Sequence, residues 1–130
     1  MFDFDSTGRP SPSRSAVYAD AQDGFPDADA AALHFDAPPE AVIRAWDRVA
    51  GQHPRVSVTL CEPGKGRHAC VQRSRVFRFP DDISARAVPS EGGTRLLLCS
   101  AARMGRHDFG VNARRLKDWS GELARALGQG

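Results

Sequence analysis

The strongest hydrophobic periodicity in the chain lies between Pro39 and Ala50. There Val42, Ile43, Trp46, Val49 and Ala50 follow the i, i+3, i+4, i+7 spacing of one helical face. Pro38-Pro39 places a proline in the first turn, where its missing N–H costs nothing, and Gly51 is read as the stop. The helical period returns from Ala113 with Leu116, Trp119, Leu123 and Leu127 on one stripe, and Asn112 is read as the N-cap. Between these helices the period falls to two. Val56, Val58 and Leu60 alternate with Arg55, Ser57 and Thr59, and a loop over residues 63–66 leads into a second strand over 68–79. Pro80-Asp81-Asp82 is read as a turn, Ile83, Ala85 and Ala87 alternate again, and residues 89–93 form another turn. Residues 94–101 are apolar on both faces, which predicts a central strand. A short strand is also predicted over residues 31–35.

Strands joined by tight connections imply an antiparallel sheet, and two amphipathic helices must bury their stripes against one of its faces. The predicted fold is therefore α+β: about five antiparallel strands packed against two helices, with a long C-terminal helix in a helix-grip-like arrangement. Trp46 and Trp119, each on the apolar stripe of its helix, are expected to be buried. Residues 1–28 are rich in Asp, Ser, Pro, Gly and Ala and show no period. They are read as an acidic arm in front of a single domain spanning 29–130.

Charge sharpens this division. Residues 1–40 hold two arginines against eight acidic residues, a net −6, whereas residues 41–130 hold sixteen basic against eight acidic residues, a net +8. An acidic arm docked on a basic body is the direct reading, with Tyr18, Phe25 and Leu33 as apolar anchors. A nucleic-acid surface is disfavoured, because the arginines are scattered and no stacking motif accompanies them. A chain of 130 residues suits one domain. Its longest apolar runs, such as Leu96 to Cys99, fall far short of the roughly 20 residues of a membrane span. The N-terminus lacks a basic, then apolar, leader, so a soluble cytoplasmic protein with no membrane partner is expected. Cys61, Cys70 and Cys99 contain no C-x-x-C pair and read as reduced packing thiols.

Functional groups are densest in Phe79-Pro80-Asp81-Asp82 and in the run from Ser100 to Arg115. These stretches resemble the signature of the domain of unknown function 1499 family, F-P-D-D followed by a strand and then R-S-x-S-R-x-G-x-x-D-x-G-x-N-x-x-R. Phe79, Pro80, Asp81, Asp82, Ser100, Arg103, Gly105, Asp108, Gly110, Asn112 and Arg115 match it. Ser11-Pro12-Ser13 stands near the family's S-P-N, so the resemblance spans roughly residues 10–127. Ser13 departs from the family's Asn, and Cys99 and Ala102 depart from its Arg and second Ser. The family has no agreed activity, so the resemblance implies a fold and a residue set and names no reaction.

Two physical readings of that set stand side by side. In one, Asp82, Arg103, His107 and Asp108 act as catalytic groups, with Asp81, Ser100, Asn112 and Arg115 binding a small anionic or carbonyl ligand. Arginine forks would hold the ligand, and a carboxylate or His107 would move a proton in cyclase- or isomerase-like chemistry. In the other, the same residues cap turns and pair internally, stabilising a structural or protein-interaction module. No cofactor is implied. Cys61, His68 and Cys70 across a hairpin lack the paired spacing of a zinc site, so no metal is expected. No G-x-S-x-G elbow surrounds Ser74 or Ser100. Gly64-Lys65-Gly66 joins two strands rather than opening a helix, and so lacks the dipole of a phosphate loop.

Overall fold

The computed structural model describes residues 1–6, 8–105 and 107–129. Strand β6 (Gly93–Ala102) organises it. Its apolar residues alternate between two separate cores, Leu96 and Leu98 in one and Leu97 and Cys99 in the other. Both of its faces therefore need cover. Along one side β6 pairs with β5 (Pro80–Ser90). Along the other, two short strands meet it end to end: β1 (Ser15–Tyr18) pairs with residues 98–101, and β2 (Leu33–Phe35) with residues 94–96. Beyond β5 lie β4 (Arg67–Arg73) and the edge strand β3 (Val56–Glu62), giving the antiparallel order β1-β6-β5-β4-β3. A Cβ at Gly93 would collide with the Phe35 carbonyl oxygen, so only glycine lets β2 reach the start of β6.

Helices α1 (Pro39–Gly51) and α2 (Val111–Ala126) cover one face of the sheet. Val42, Ile43, Trp46, Leu116, Trp119 and Leu123 pack there against Ile83, Ala85, Leu96 and Leu98. Trp46 and Trp119 are 0% and 2% exposed, with ring centroids 5.5 Å apart. The predicted α+β architecture and both helical registers match.

The boundaries differ in instructive ways. Strand β4 stops at Arg73, and residues 74–79 form an exposed hairpin closed by the Ser74 N–H to the Phe79 carbonyl and the Phe79 N–H to Ser74 Oγ. Pro80-Asp81-Asp82 consequently opens β5 instead of turning the chain. Proline tolerates the first strand position, where its lack of an N–H removes no interior ladder bond. Pro89 and Ser90 also belong to β5, leaving only Glu91-Gly92 as the turn. Asn112 is not the N-cap of α2. Gly110 occupies that position at φ 82°, and Asn112 lies inside the first turn, fully buried. Gly51 is the last residue of α1 rather than a left-handed stop. A β-bulge between Val58 and Leu60 interrupts the alternation expected of β3.

The second face of the sheet is covered by the N-terminal segment. Phe2, Phe4 and Phe25 form a cluster with centroid separations of 5.0–6.3 Å, packed with Val17, Ala19, Leu97 and Cys99. Phe25, expected as an anchor, is 1% exposed. Tyr18 and Leu33 are half-buried against the opposite, helix-side core, while Phe2 and Phe4 had not been expected as anchors. Strand β1 gives this segment a place in the sheet itself. Its acids meet basic residues of the body: Asp5 pairs with Arg86 at 2.6 Å, and Asp20 and Asp23 both pair with Arg95 at 2.6 Å. Among the described residues, no helix is long and apolar enough to cross a membrane.

Candidate functional site

Asp81 and Asp82 are adjacent in sequence, but successive strand side chains point to opposite faces, so the sheet separates them. Asp81 lies on the helix face with Ile83, and Asp82 lies on the face of the N-terminal segment with Ser84 and Arg86. The eight candidate residues follow this division and do not form one pocket.

On the helix face, Arg115 reaches from the first turns of α2 to the end of the sheet. Its Nε donates to Gln72 Oε1 at 2.7 Å. Its Nη1 donates to Asn112 Oδ1 at 2.7 Å and to Ser100 Oγ at 3.1 Å, and its Nη2 meets Asp81 Oδ2 at 3.0 Å. Ser100 Oγ donates to Asn112 Oδ1 at 2.6 Å, and Asn112 Nδ2 donates to Asp108 Oδ2 at 2.8 Å and to the Arg14 carbonyl at 3.3 Å. Asp108 also accepts the N–H groups of Gly110 and Asn112, which makes it the side-chain cap of α2, while its own N–H donates to the Ser13 carbonyl. The network thus ties α2, three strands and the chain before β1 into one end of the molecule. Buried networks of this kind rigidify when every member is satisfied.

The electrostatics follow the partners. Burial raises Asp81 above the ordinary carboxylate range, with Arg115 pulling the other way. Burial also works against the Asp108 carboxylate, but the hydrogen bonds from Asn112 and Gly110 outweigh it and hold its pKa below the ordinary value. Each guanidinium nitrogen of Arg115 has a partner within the protein, so its binding edges are consumed internally.

On the other face, Arg103 clasps Asp82 with two bonds of 2.6 and 3.1 Å, and these hydrogen bonds hold Asp82 below its usual range. The pair borders a shallow cleft of about 250 Å³ with Met1, Phe2, Pro10 and Arg14. His107 is exposed and lines a different cleft, of about 370 Å³, with Ser13, Asp29, Asp108 and Phe109. Sequence reasoning missed Gln72, whose place in the network depends on the β4–β5 register that sets it opposite Asp81. It also missed the carbonyls of Ser13 and Arg14, although the Ser11-Pro12-Ser13 resemblance pointed to their segment.

The same end carries a further feature. The 74–79 hairpin and the connection from β6 to α2 leave the sheet side by side, with the Arg103 N–H bonded to the Pro80 carbonyl. Val76 (76% exposed), Phe77 (73%), Phe79, Met104, Phe109 (87%) and Val111 all face solvent there. Phe77 and Phe79 stack at 5.5 Å. Arg75, Arg78 and Arg103 are exposed in these two segments, which contain no lysine, and Arg73 and Arg114 are exposed at their flanks. Arg78 and Phe109 adopt left-handed φ values of 59° and 52°, a conformation that costs a non-glycine residue about 1 kcal/mol or more.

A family model described as protein of unknown function (DUF1499) matches residues 8–123. No curated protein and no solved structure matches the chain.

Proposed function

We propose that this chain, which belongs to the DUF1499 family, is a non-catalytic protein-interaction module. In this reading the signature residues lock one end of the sheet so that it presents a rigid, arginine-rimmed apolar tip. The observation that carries the reading is the contrast at that end. The polar signature groups on the helix face are paired internally, while the apolar side chains beside them are exposed. Large apolar side chains exposed together on neighbouring loops mark interaction sites on monomeric proteins. Aromatic residues, Met and Arg are enriched and Lys depleted at protein interfaces, and that is the composition of the two loops. The arginines are also held in place: Arg73 Nη1 donates to the Arg78 carbonyl, and Arg114 Nη1 to the Phe109 carbonyl. Oriented guanidinium forks suit defined carboxylates, so the partner is a protein segment with acidic residues flanking apolar ones.

Selection from a displayed library of short peptides tests this reading. The wild-type chain should enrich acidic peptides containing Leu or aromatic residues, with affinity falling as salt rises. A Phe77→Ser/Phe109→Ser double variant, melting at the wild-type temperature because both side chains are exposed, should lose that binding. The reading fails if nothing is enriched, if the double variant binds equally well, or if anionic vesicles bind while peptides do not. A dimer that dissociates in the double variant would assign the patch to a second copy of the chain and also overturn it.

A further inference from the structure

The structure assigns a candidate divalent-metal site to Asp47, Cys61 and His68, none of which belongs to the signature. We propose that it binds a thiophilic ion of the Zn²⁺ class through one carboxylate oxygen, one thiolate sulfur and one imidazole nitrogen. The three donor atoms come from α1, β3 and β4 and lie within 4.8 Å of one another. Cys61 and His68 are directly opposed across the β3–β4 ladder, and His68 Nε2 lies 2.9 Å from Asp47 Oδ1.

The backbone makes this cluster in an unusual way. Val56 and Val58 oppose Gln72 and Cys70, on the helix face, but the bulge after Val58 shifts the parity so that Leu60 opposes Ala69 and Cys61 opposes His68. Without the bulge, regular alternation would point Cys61 away from the helices. Bulges recur where a strand must re-aim one functional side chain. The trio expected from the sequence to be a poor site, Cys61, His68 and Cys70, is thus replaced by one in which Asp47 takes the place of Cys70. Cys70 lies in the core with 1% exposure, and burial pushes its thiol up to about 12.

The chemistry of the donor set fits the class of ion. One thiolate and one carboxylate neutralise a divalent cation, the imidazole adds no charge, and the mixture of soft and borderline donors matches tetrahedral Zn²⁺ with one position left for water. The His68 side chain is completely buried, and its Nδ1 has no hydrogen-bond partner among the described residues. Nε2, the nitrogen that faces Asp47, is the one placed to meet the ion. Ligation by sulfur expels the thiol proton, so binding should release one proton and strengthen as pH rises.

Titration of the full, reduced chain with Co²⁺ and then Zn²⁺ tests the assignment. The expected result is one ion per chain, a thiolate-to-cobalt charge-transfer band, displacement of Co²⁺ by Zn²⁺, and release of one proton. Cys61→Ser, at an exposed position, should melt like the wild type without metal, lose the band, and weaken Zn²⁺ binding by more than about 100-fold, beyond the effect of an outer-shell change. Asp47→Asn should retain the band with weaker binding. The proposal is overturned if Co²⁺ gives no thiolate band, if the band persists in Cys61→Ser, or if Zn²⁺ binds both proteins alike.

Discussion

The two faces of the sheet solve the same problem by different means. On one face, α1 and α2 lay continuous apolar stripes against Ile83, Ala85, Leu96 and Leu98. On the other, a segment with no periodicity lays down Phe2, Phe4 and Phe25, and ion pairs from Asp5, Asp20 and Asp23 to Arg86 and Arg95 tie it to the body. Regular packing and irregular packing bury apolar surface to the same depth: Trp119 is 2% exposed and Phe25 is 1% exposed. The hydrophobic effect scales with area removed from water and is indifferent to whether a helix or a loop removes it.

The comparison breaks most severely if residues 1–28 are removed. That deletion takes away β1, uncovers Leu97 and Cys99 and opens an edge of β6. The truncated chain should lack a cooperative melting transition, and a sharp transition near that of the full chain would show the second face to be dispensable. Single truncations sharpen the same point. Phe25→Ala and Trp119→Ala should each cost about 3–5 kcal/mol by chemical denaturation, the range for large aromatics in cores. A loss below about 1 kcal/mol for Phe25→Ala would mean that the loop-covered face packs far less tightly than its burial indicates.

Arg115→Ala should fall in the same range, about 3–5 kcal/mol, because it leaves Asp81 buried without its cation. Arg115→Lys should recover little of this, since an ammonium cannot span Gln72, Asn112, Ser100 and Asp81. Arg103→Ala, which releases an exposed pair on the other face, should hardly change the melting temperature. Equal effects of these two substitutions would contradict the division of the signature between a buried network and a surface clasp.

The smallest of these effects depends on pH. Hydrogen bonds from Arg95 hold Asp23 below the ordinary carboxylate range despite partial burial. A group whose folded pKa is depressed adds stability above its unfolded pKa, and that stability is lost as pH falls through the folded value. Asp23→Asn should therefore lower the melting temperature at neutral pH, and its difference from the wild type should shrink below about pH 4. Asp81, raised by burial, contributes with the opposite sign and partly offsets that acid loss. A difference independent of pH would show that Asp23 acts through shape rather than charge.

Much of the fold was legible in the chain because contiguous periodicity is a local property. Val42, Ile43, Trp46 and Val49 announce one helix and Leu116, Trp119 and Leu123 another, and burial follows from the stripe alone. The apolar residues on both faces of the 94–101 segment likewise announced an interior strand. The turns were less legible. Val76, Phe77 and Phe79 have strand-forming side chains, yet they lie exposed in a hairpin whose closure depends on Ser74 and on where β5 begins. Part of the candidate site could be read as a residue set, since Ser100, Asp108, Asn112 and Arg115 do converge with Asp81. Its division could not, because Asp81 and Asp82 are separated only once strand alternation is anchored by a register.

The sequence by itself determined the class of the fold, the helical faces, and the charge opposition between the first 40 residues and the rest. Tertiary structure alone decided which of the signature residues meet. Helical and strand periods are set by backbone geometry within a few residues, whereas the meeting of Arg115 with Gln72 or of Cys61 with Asp47 depends on ladder register and on a bulge. A shift of one residue in a strand sends a side chain to the opposite face, and no local pattern in the chain encodes that choice.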